Sequence, residues 1–163
     1  MTAEDIINLF NMIPLPGEGG YYVETYRASE KIDDLPARYE GPRTFSTAIL
    51  YLITPTSFSK LHKVKSDEVF HFHLGNPVEM LKIYETGKTE TEIVGTDLVK
   101  GQKPQAVVYK NTWQGTKLIE GGKFALLGCT VAPSFEFSDY ESANKDLLIK
   151  QFPNAKALIE KYI

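Results

Sequence analysis

Between Thr44 and Ala132 the chain repeats one pattern, a short run rich in Val, Ile, Thr and aromatic residues followed by a break built on glycine or proline. The runs are Thr44–Ile53, Phe58–Val64, Asp67–Leu74, Val78–Glu85, Lys88–Val94, Ala106–Tyr109, Thr112–Ile119 and Lys123–Ala132. Pro55, Gly75-Asn76-Pro77, Thr86-Gly87, Gly95, Gly101, Pro104 and Gly121-Gly122 punctuate them. Short runs with turn signals this regular predict antiparallel strands closed into a sandwich or barrel. Tyr21–Ala28, where Tyr, Val and Thr alternate faces, adds a strand ahead of the series.

The ends of the chain read differently. Thr2 and Asp5 form a capping-box-like pair ahead of Ile6, Ile7, Leu9 and Phe10, so the first dozen residues predict a short amphipathic helix that Pro14 and Pro16 stop. Gly17, Gly19 and Gly20 make a turn into Tyr21; without a following helix they are no phosphate loop. Ser29–Arg43 is charged, contains Pro36, Gly41 and Pro42, has no sustained period, and reads as a surface loop. Ser142–Gln151 and Asn154–Ile163 have helical spacing, with Leu147, Leu148, Leu158 and Ile159 available for a buried side. With no repeat, linker or low-complexity tract, residues 1–163 are expected to form a single all-β domain with short helices at both ends.

Composition removes several functional classes. A chain of 163 residues can take roughly two-thirds of its unfolded surface out of water. A formal net charge of −3 leaves no basic footprint for nucleic acid or an anionic membrane. The longest apolar runs, such as Ala48–Ile53, are far short of the roughly 20 residues that span a bilayer. Cys129 is the one cysteine, which excludes an internal disulfide, and Met1–Phe10 lacks the basic start and apolar run of a signal peptide. A reducing cytoplasm is the expected compartment, and Cys129, in an apolar strand, is expected to be buried and inert.

The stretch Lys60–Gly75 spaces His62, Glu68 and Gly75 as H-x5-E-x6-G and sets two polar side chains in an otherwise apolar strand pair. In a strand from Asp67, Glu68, Phe70, Phe72 and Leu74 share one face and Val69, His71 and His73 the other. The first set suits a barrel interior. A carboxylate among Phe and Leu needs a partner, and His62 is the nearest in sequence. Such a pair can work as acid and base or as two metal ligands. A rival reading starts the motif at His71-Phe72-His73 with Glu79 and Gly87; Gly75-Asn76-Pro77 interrupts it, and His71 and His73 are then expected on the outer face.

These residues resemble the cupin superfamily, whose first motif runs G-x5-H-x-H-x3,4-E-x6-G and whose second runs G-x5-P-x-G-x2-H-x3-N. His62 takes the first His, Val64 falls where the second would stand, and Glu68 and Gly75 fit the Glu and Gly. The second motif aligns loosely, with Tyr109 at the Pro, Asn111 at the Gly and Gln114 at the final His. More specifically the chain is similar to the small one-domain cupin 5 family, through GGYYVETYR (Gly19–Arg27), STAILYL (Ser46–Leu52), His62–Gly75, NTWQ (Asn111–Gln114) and GCTVAPSFEF (Gly128–Phe137). The resemblance implies a double-stranded β-helix, the cupin or jelly-roll barrel, similar in shape to the dTDP-sugar 3,5-epimerases and usually paired as a homodimer. The Tyr-rich strand Tyr21–Tyr26 supports the homodimer independently, since a monomer would leave its aromatic surface uncovered. The resemblance implies no particular reaction.

Two readings of the pocket stay open. In one, His62, Glu68 and Gln114 hold a divalent metal, at reduced affinity because Val64 cannot ligate and Gln114 offers a neutral oxygen. In the other the pocket is metal-free, walled by Phe70 and Phe72, and Trp113 and Gln114 contact the ligand by stacking and two-sided hydrogen bonds. Arg27 is placed to hold an anionic group in a bidentate contact or to pair with Glu24 or Glu136, and Thr47 and Tyr51 share a face that can present hydroxyls. The expected ligand is a small polar or anionic metabolite such as a sugar or sugar nucleotide. As an enzyme the chain would use His62 as general base, Glu68 to set its tautomer, and Tyr51 or Tyr109 to return a proton; an isomerase or epimerase follows from fold analogy. The alternatives are a binding module using the same residues without catalysis, and a barrel whose polar residues are structural.

Overall fold

The computed structural model describes residues 1–163. In chain order it forms α1 (Ala3–Phe10), β1 (Ile13–Pro14), β2 (Tyr21–Arg27), β3 (Lys31–Ile32), β4 (Arg43–Thr44), β5 (Thr47–Ile53), β6 (Ser59–Val64) and β7 (Asp67–Gly75). β8 (Val78–Ile83), β9 (Thr89–Val94), β10 (Gln105–Val108), β11 (Trp113–Leu118), β12 (Ala125–Ala132), β13 (Tyr140–Ser142), α2 (Lys145–Gln151) and α3 (Lys156–Ile159) complete it. Two antiparallel sheets face each other in a jelly-roll barrel: one has the order β1-β2-β5-β12-β7-β10, the other β13-β6-β11-β8-β9.

Period-2 alternation sorts the side chains into three layers. Tyr51, Ile53, Leu127 and Cys129 of the first sheet meet Val78 and Met80 of the second inside the barrel. The outer face of the first sheet puts Leu52 and Leu126 under Ile6 of α1 and Met12. The outer face of the second puts Leu61, Leu81, Ile83 and Trp113 under Leu148, Phe152, Ile159 and Tyr162. The terminal helices thus cover the two faces that the barrel cannot bury by itself. The capping box of α1 is complete, with Thr2 N–H donating to Asp5 at 2.7 Å and Asp5 N–H to the Thr2 hydroxyl at 3.2 Å.

Three boundaries differ from the sequence reading. The run Thr44–Ile53 is broken: Arg43–Thr44 pairs with Lys31–Ile32 as a separate ribbon, so the loop Ser29–Arg43 begins with a strand of its own. Arg43 makes the break worthwhile by reaching Asp139 with Nε at 2.8 Å and Nη2 at 2.7 Å, both side chains buried. At the other end Tyr140–Ser142 is a strand on β6, and α2 starts only after Asn144, whose side chain caps the Leu147 N–H at 3.1 Å. The helix expected over Asn154–Ile163 is reduced to Lys156–Ile159, because the chain turns back so that the Tyr162 carbonyl accepts from Leu61 N–H at 2.8 Å.

Besides the register shift in β2 between Glu24 and Tyr26, two bulges decide what faces inward. Gln114 pairs with His62 but Thr116 pairs with Ser59, so β6 carries an extra residue at Lys60–Leu61. Both Ser59 and His62 therefore point into the barrel although three residues separate them, a placement that strict alternation forbids. Gly115 lies opposite the bulge, where a Cβ would stand 3.0 Å from the Tyr162 ring and 3.2 Å from the Ser59 carbonyl. A second bulge falls between the β12 partners Leu126 and Leu127, which pair with Leu74 and Phe72 and skip His73.

Candidate functional site

A cavity of about 330 Å³ opens on the inner face of the six-stranded sheet. Its walls are apolar, formed by Leu15, Tyr22, Ile49, Phe70, Phe135 and Phe137 among others. Glu18, Glu68, Thr47, Tyr51 and Cys129 also line it, and Glu24, Arg27 and Glu136 complete the lining.

Glu68 enters because β7 points Glu68 and Phe70 the same way, and both are buried. Glu18 enters from the turn Leu15–Gly20. That turn closes with Leu15 N–H on the Gly20 carbonyl at 3.1 Å and Gly19 N–H on the Leu15 carbonyl at 3.1 Å. The bulge in β6 grips it as well: the Lys60 N–H, freed from its ladder, donates to the Glu18 carbonyl at 3.0 Å. Gly20 lies at φ +72°, and a Cβ there would stand 2.6 Å from the Tyr51 ring. Only glycine lets the turn fold this close to the barrel. The Glu18 side chain then accepts from the Ser59 hydroxyl at 2.8 Å and lies 3.5 Å from His62 Nε2.

His62 stands behind this floor and is not part of the cavity wall. Its Nδ1 donates to the Lys60 carbonyl at 2.8 Å, which leaves Nε2 as the acceptor. Gln114 fills that acceptor: its Nε2 lies 2.9 Å from His62 Nε2 and donates to Glu68 Oε2 at 3.1 Å. One amide group therefore ties the imidazole to the carboxyl. His62 and Glu68 share no direct bond. The Gln114 Oε1 is buried without a partner, and the Tyr140 ring stacks on His62 at 5.2 Å.

Burial dominates the electrostatics. It pushes the Glu68 carboxyl up to about 7; the neighbouring Glu18 charge raises it further, while the Gln114 hydrogen bond opposes the rise. Burial likewise pushes the Tyr51 phenol and the Cys129 thiol well above their usual values. The Tyr51 hydroxyl donates to the Gly19 carbonyl at 2.8 Å, so it secures the glutamate-bearing turn. Cys129 Sγ lies 3.8 Å from Glu68 Oε1. At the rim the Arg27 guanidinium is held by Glu24, through Nε at 3.0 Å and Nη2 at 2.9 Å, and by Glu136, through Nη1 at 2.7 Å. Of the two placements open to Arg27, the carboxylate pairing is the one observed, and these bonds raise its already high pKa. Thr47 is buried and accepts from Phe135 N–H at 3.0 Å.

Arg27, Thr47, Tyr51, Glu68 and Phe70 thus meet at one cavity, with Gln114 and His62 directly behind Glu68. Trp113, Phe72 and Tyr109 lie elsewhere. Trp113 shares its face of β11 with Gly115 and packs outward against Leu61, Phe152 and Ile159, with Lys63 Nζ 4.6 Å above its ring. Phe72 packs against the interior core without lining the cavity, and Tyr109, 61% exposed, sits in the turn after β10. His71 and His73 are on the outer face, His71 with Gln105 at 3.2 Å and His73 over Gly128. The residue that sequence reasoning missed is Glu18. Its one signal is a lone carboxylate within Pro16–Gly20, a turn otherwise of proline and glycine between Leu15 and Tyr21.

The donor set does not fit a transition metal. No three His, Cys, Asp or Glu side chains converge as metal ligands. Val64 cannot ligate, the His62 Nε2 acceptor is met by an amide nitrogen, and that same nitrogen faces Glu68.

The sequence profile described as "Cupin superfamily (DUF985)" matches residues 4–143. Two solved structures align over nearly the whole molecule. A hypothetical protein from Leishmania major is 28% identical, with TM-score 0.92 and coverage of 99% of this chain and 98% of that one. A protein from Shewanella oneidensis is 30% identical, with TM-score 0.88 and coverage of 99% and 97%. Oxalate decarboxylase from Bacillus subtilis shares the fold at 14% identity and TM-score 0.56, with coverage of 94% of this chain and 38% of that one. No curated protein matches the chain, and no helix is long and apolar enough to cross a membrane.

Proposed function

The chain belongs to the DUF985 family of the cupin superfamily, and from its cavity we propose a small-molecule proton-transfer protein of the isomerase or epimerase type. The observation that carries this reading is Glu68, a buried carboxyl whose affinity for its proton is raised to about 7 and which lines a cavity of ligand size. Near neutral pH such a group is present in comparable amounts as acid and base, the condition under which general acid–base catalysis works best. Proton abstraction next to a carbonyl needs a base on one atom and a hydrogen-bond donor on another. The Glu18 carboxylate and the Glu68 carboxylic acid supply the two from one floor. His62 and Gln114 are then positioning residues: the imidazole faces Glu18, and the amide orients Glu68. Tyr51, which donates to Gly19, holds the turn that carries Glu18.

The test is a thermal-shift survey of small metabolites, sugars and sugar phosphates included, with wild type and Glu68→Gln. Each compound that binds is then incubated with wild type and variant in deuterated water and followed by proton NMR. Loss of a carbon-bound proton signal with wild type, and its retention with Glu68→Gln, supports proton transfer. Binding without exchange reduces the protein to a recognition module. Failure of every compound to bind removes both.

A further inference from the structure

The cavity's charge balance speaks to what it accepts. Glu18, Glu24 and Glu136 stand against a single cation, Arg27, so the lining carries two excess negative charges even when Glu68 is neutral. That cation is committed. Four of its five N–H groups have acceptors: Nε and Nη2 on Glu24, Nη1 on Glu136, and the second Nη2 hydrogen on the Phe135 carbonyl at 3.4 Å. An anionic ligand would find one N–H of Nη1 without an acceptor, flanked by two carboxylates that already neutralise the guanidinium. The remaining wall is apolar, with Tyr22, Phe70, Phe135 and Phe137 among Leu15, Ile49 and Val131, and Tyr51 beneath. Ring faces attract cations, and carboxylates set behind them complete a cation-accepting enclosure.

From this geometry we infer that the cavity takes an organic cation, a small molecule whose protonated amine lies against Glu18 and Glu68 while its carbon skeleton rests on the apolar wall. The inference rests on the cavity being a ligand site and replaces the anionic metabolite expected from Arg27 alone. An amine next to a carbonyl-bearing carbon would place the proton to be moved over the same floor. Sugar phosphates and nucleotide sugars, by contrast, would bring further negative charge to a negative enclosure and are disfavoured.

Three ring compounds of matched size separate the possibilities: cyclohexylammonium, cyclohexanol and cyclohexanecarboxylate, titrated calorimetrically into the full-length wild-type protein. The ammonium should bind roughly tenfold tighter than the alcohol, the carboxylate should be the weakest, and Glu18→Gln should bring ammonium and alcohol within about threefold of one another. Because Glu18 also fastens its turn, Glu68→Gln provides a second variant, titrated at about pH 8 where the wild-type Glu68 carboxyl is ionised, and its preference for the ammonium should fall in the same direction. Alcohol and ammonium of equal affinity in wild type, or a preference for the carboxylate, would overturn the charge assignment while leaving the cavity a ligand site. Absence of binding by all three would overturn the ligand-site reading with it.

Discussion

Replacing Glu68 by glutamine should make the protein more stable than wild type as pH rises, and the structure sets the size of the effect. The folded carboxyl titrates at about 7 against an ordinary 4.5, because its charged form is buried. A carboxyl whose folded pKa is raised contributes its stability below the unfolded value, and that contribution is lost as pH climbs through the window from about 4.5 to about 7. At about 1.4 kcal/mol for each unit, the loss is on the order of 3 kcal/mol. The substituted glutamine keeps the shape and still accepts from Gln114, but it never has to ionise. The stability gap between variant and wild type should therefore widen by about 2 to 3 kcal/mol between about pH 5 and about pH 8, or roughly 6 to 12 °C in melting temperature for a domain of this size. Urea unfolding of both proteins across that range measures the gap directly, and titrations common to both cancel in the difference. A gap independent of pH would refute the buried, proton-holding carboxyl. A gap that narrows as pH rises would reverse its sign.

Gly20→Ala should cost about 2 kcal/mol in urea unfolding, since its Cβ would meet the Tyr51 ring at 2.6 Å with a left-handed backbone; a neutral result would show that the Glu18 turn is not held as described. Asp139→Asn leaves the buried Arg43 guanidinium uncompensated and should destabilise by about 3 to 5 kcal/mol in the same assay, whereas a change under about 1 kcal/mol would mean the pair is solvated. Only Tyr21 and Tyr22 of β2 have strand partners in β1, so the outer edge from Val23 to Arg27 is open and Tyr26 is exposed. A homodimer that covers this edge is the expected species in size-exclusion light scattering at micromolar concentration, and a monomer would contradict it.

The strands and their class are legible because each inward run alternates with period 2 and ends on a turn residue, and Glu68 and Phe70 follow that rule. Its failures have a common cause, in that none shows in a local pattern. The extra residue at Lys60–Leu61 turns Ser59 and His62 inward together, and it is visible only in the pairing with Thr116 and Gln114. Trp113 and Gln114, both read as ligand contacts, are neighbours on one strand and face opposite ways, and which of the two faces is outer depends on where Phe152 and Ile159 fold back. Glu18 sits in a turn with no period at all. Its inward course depends on contacts with Phe58, Lys60 and Tyr51, residues far along the chain. Sequence offers Arg27 two carboxylate partners, and what it cannot weigh is that both take it at once.

The most direct measurement is the proton on Glu68 itself. In protein labelled with carbon-13 at glutamate carboxyls, the Glu68 signal, assigned by its disappearance in Glu68→Gln, should titrate with a midpoint near 7. A midpoint in the ordinary carboxylate range, near 4.5, would mean that the side chain meets water and not the enclosed floor described, and the case for proton transfer at this cavity would end there.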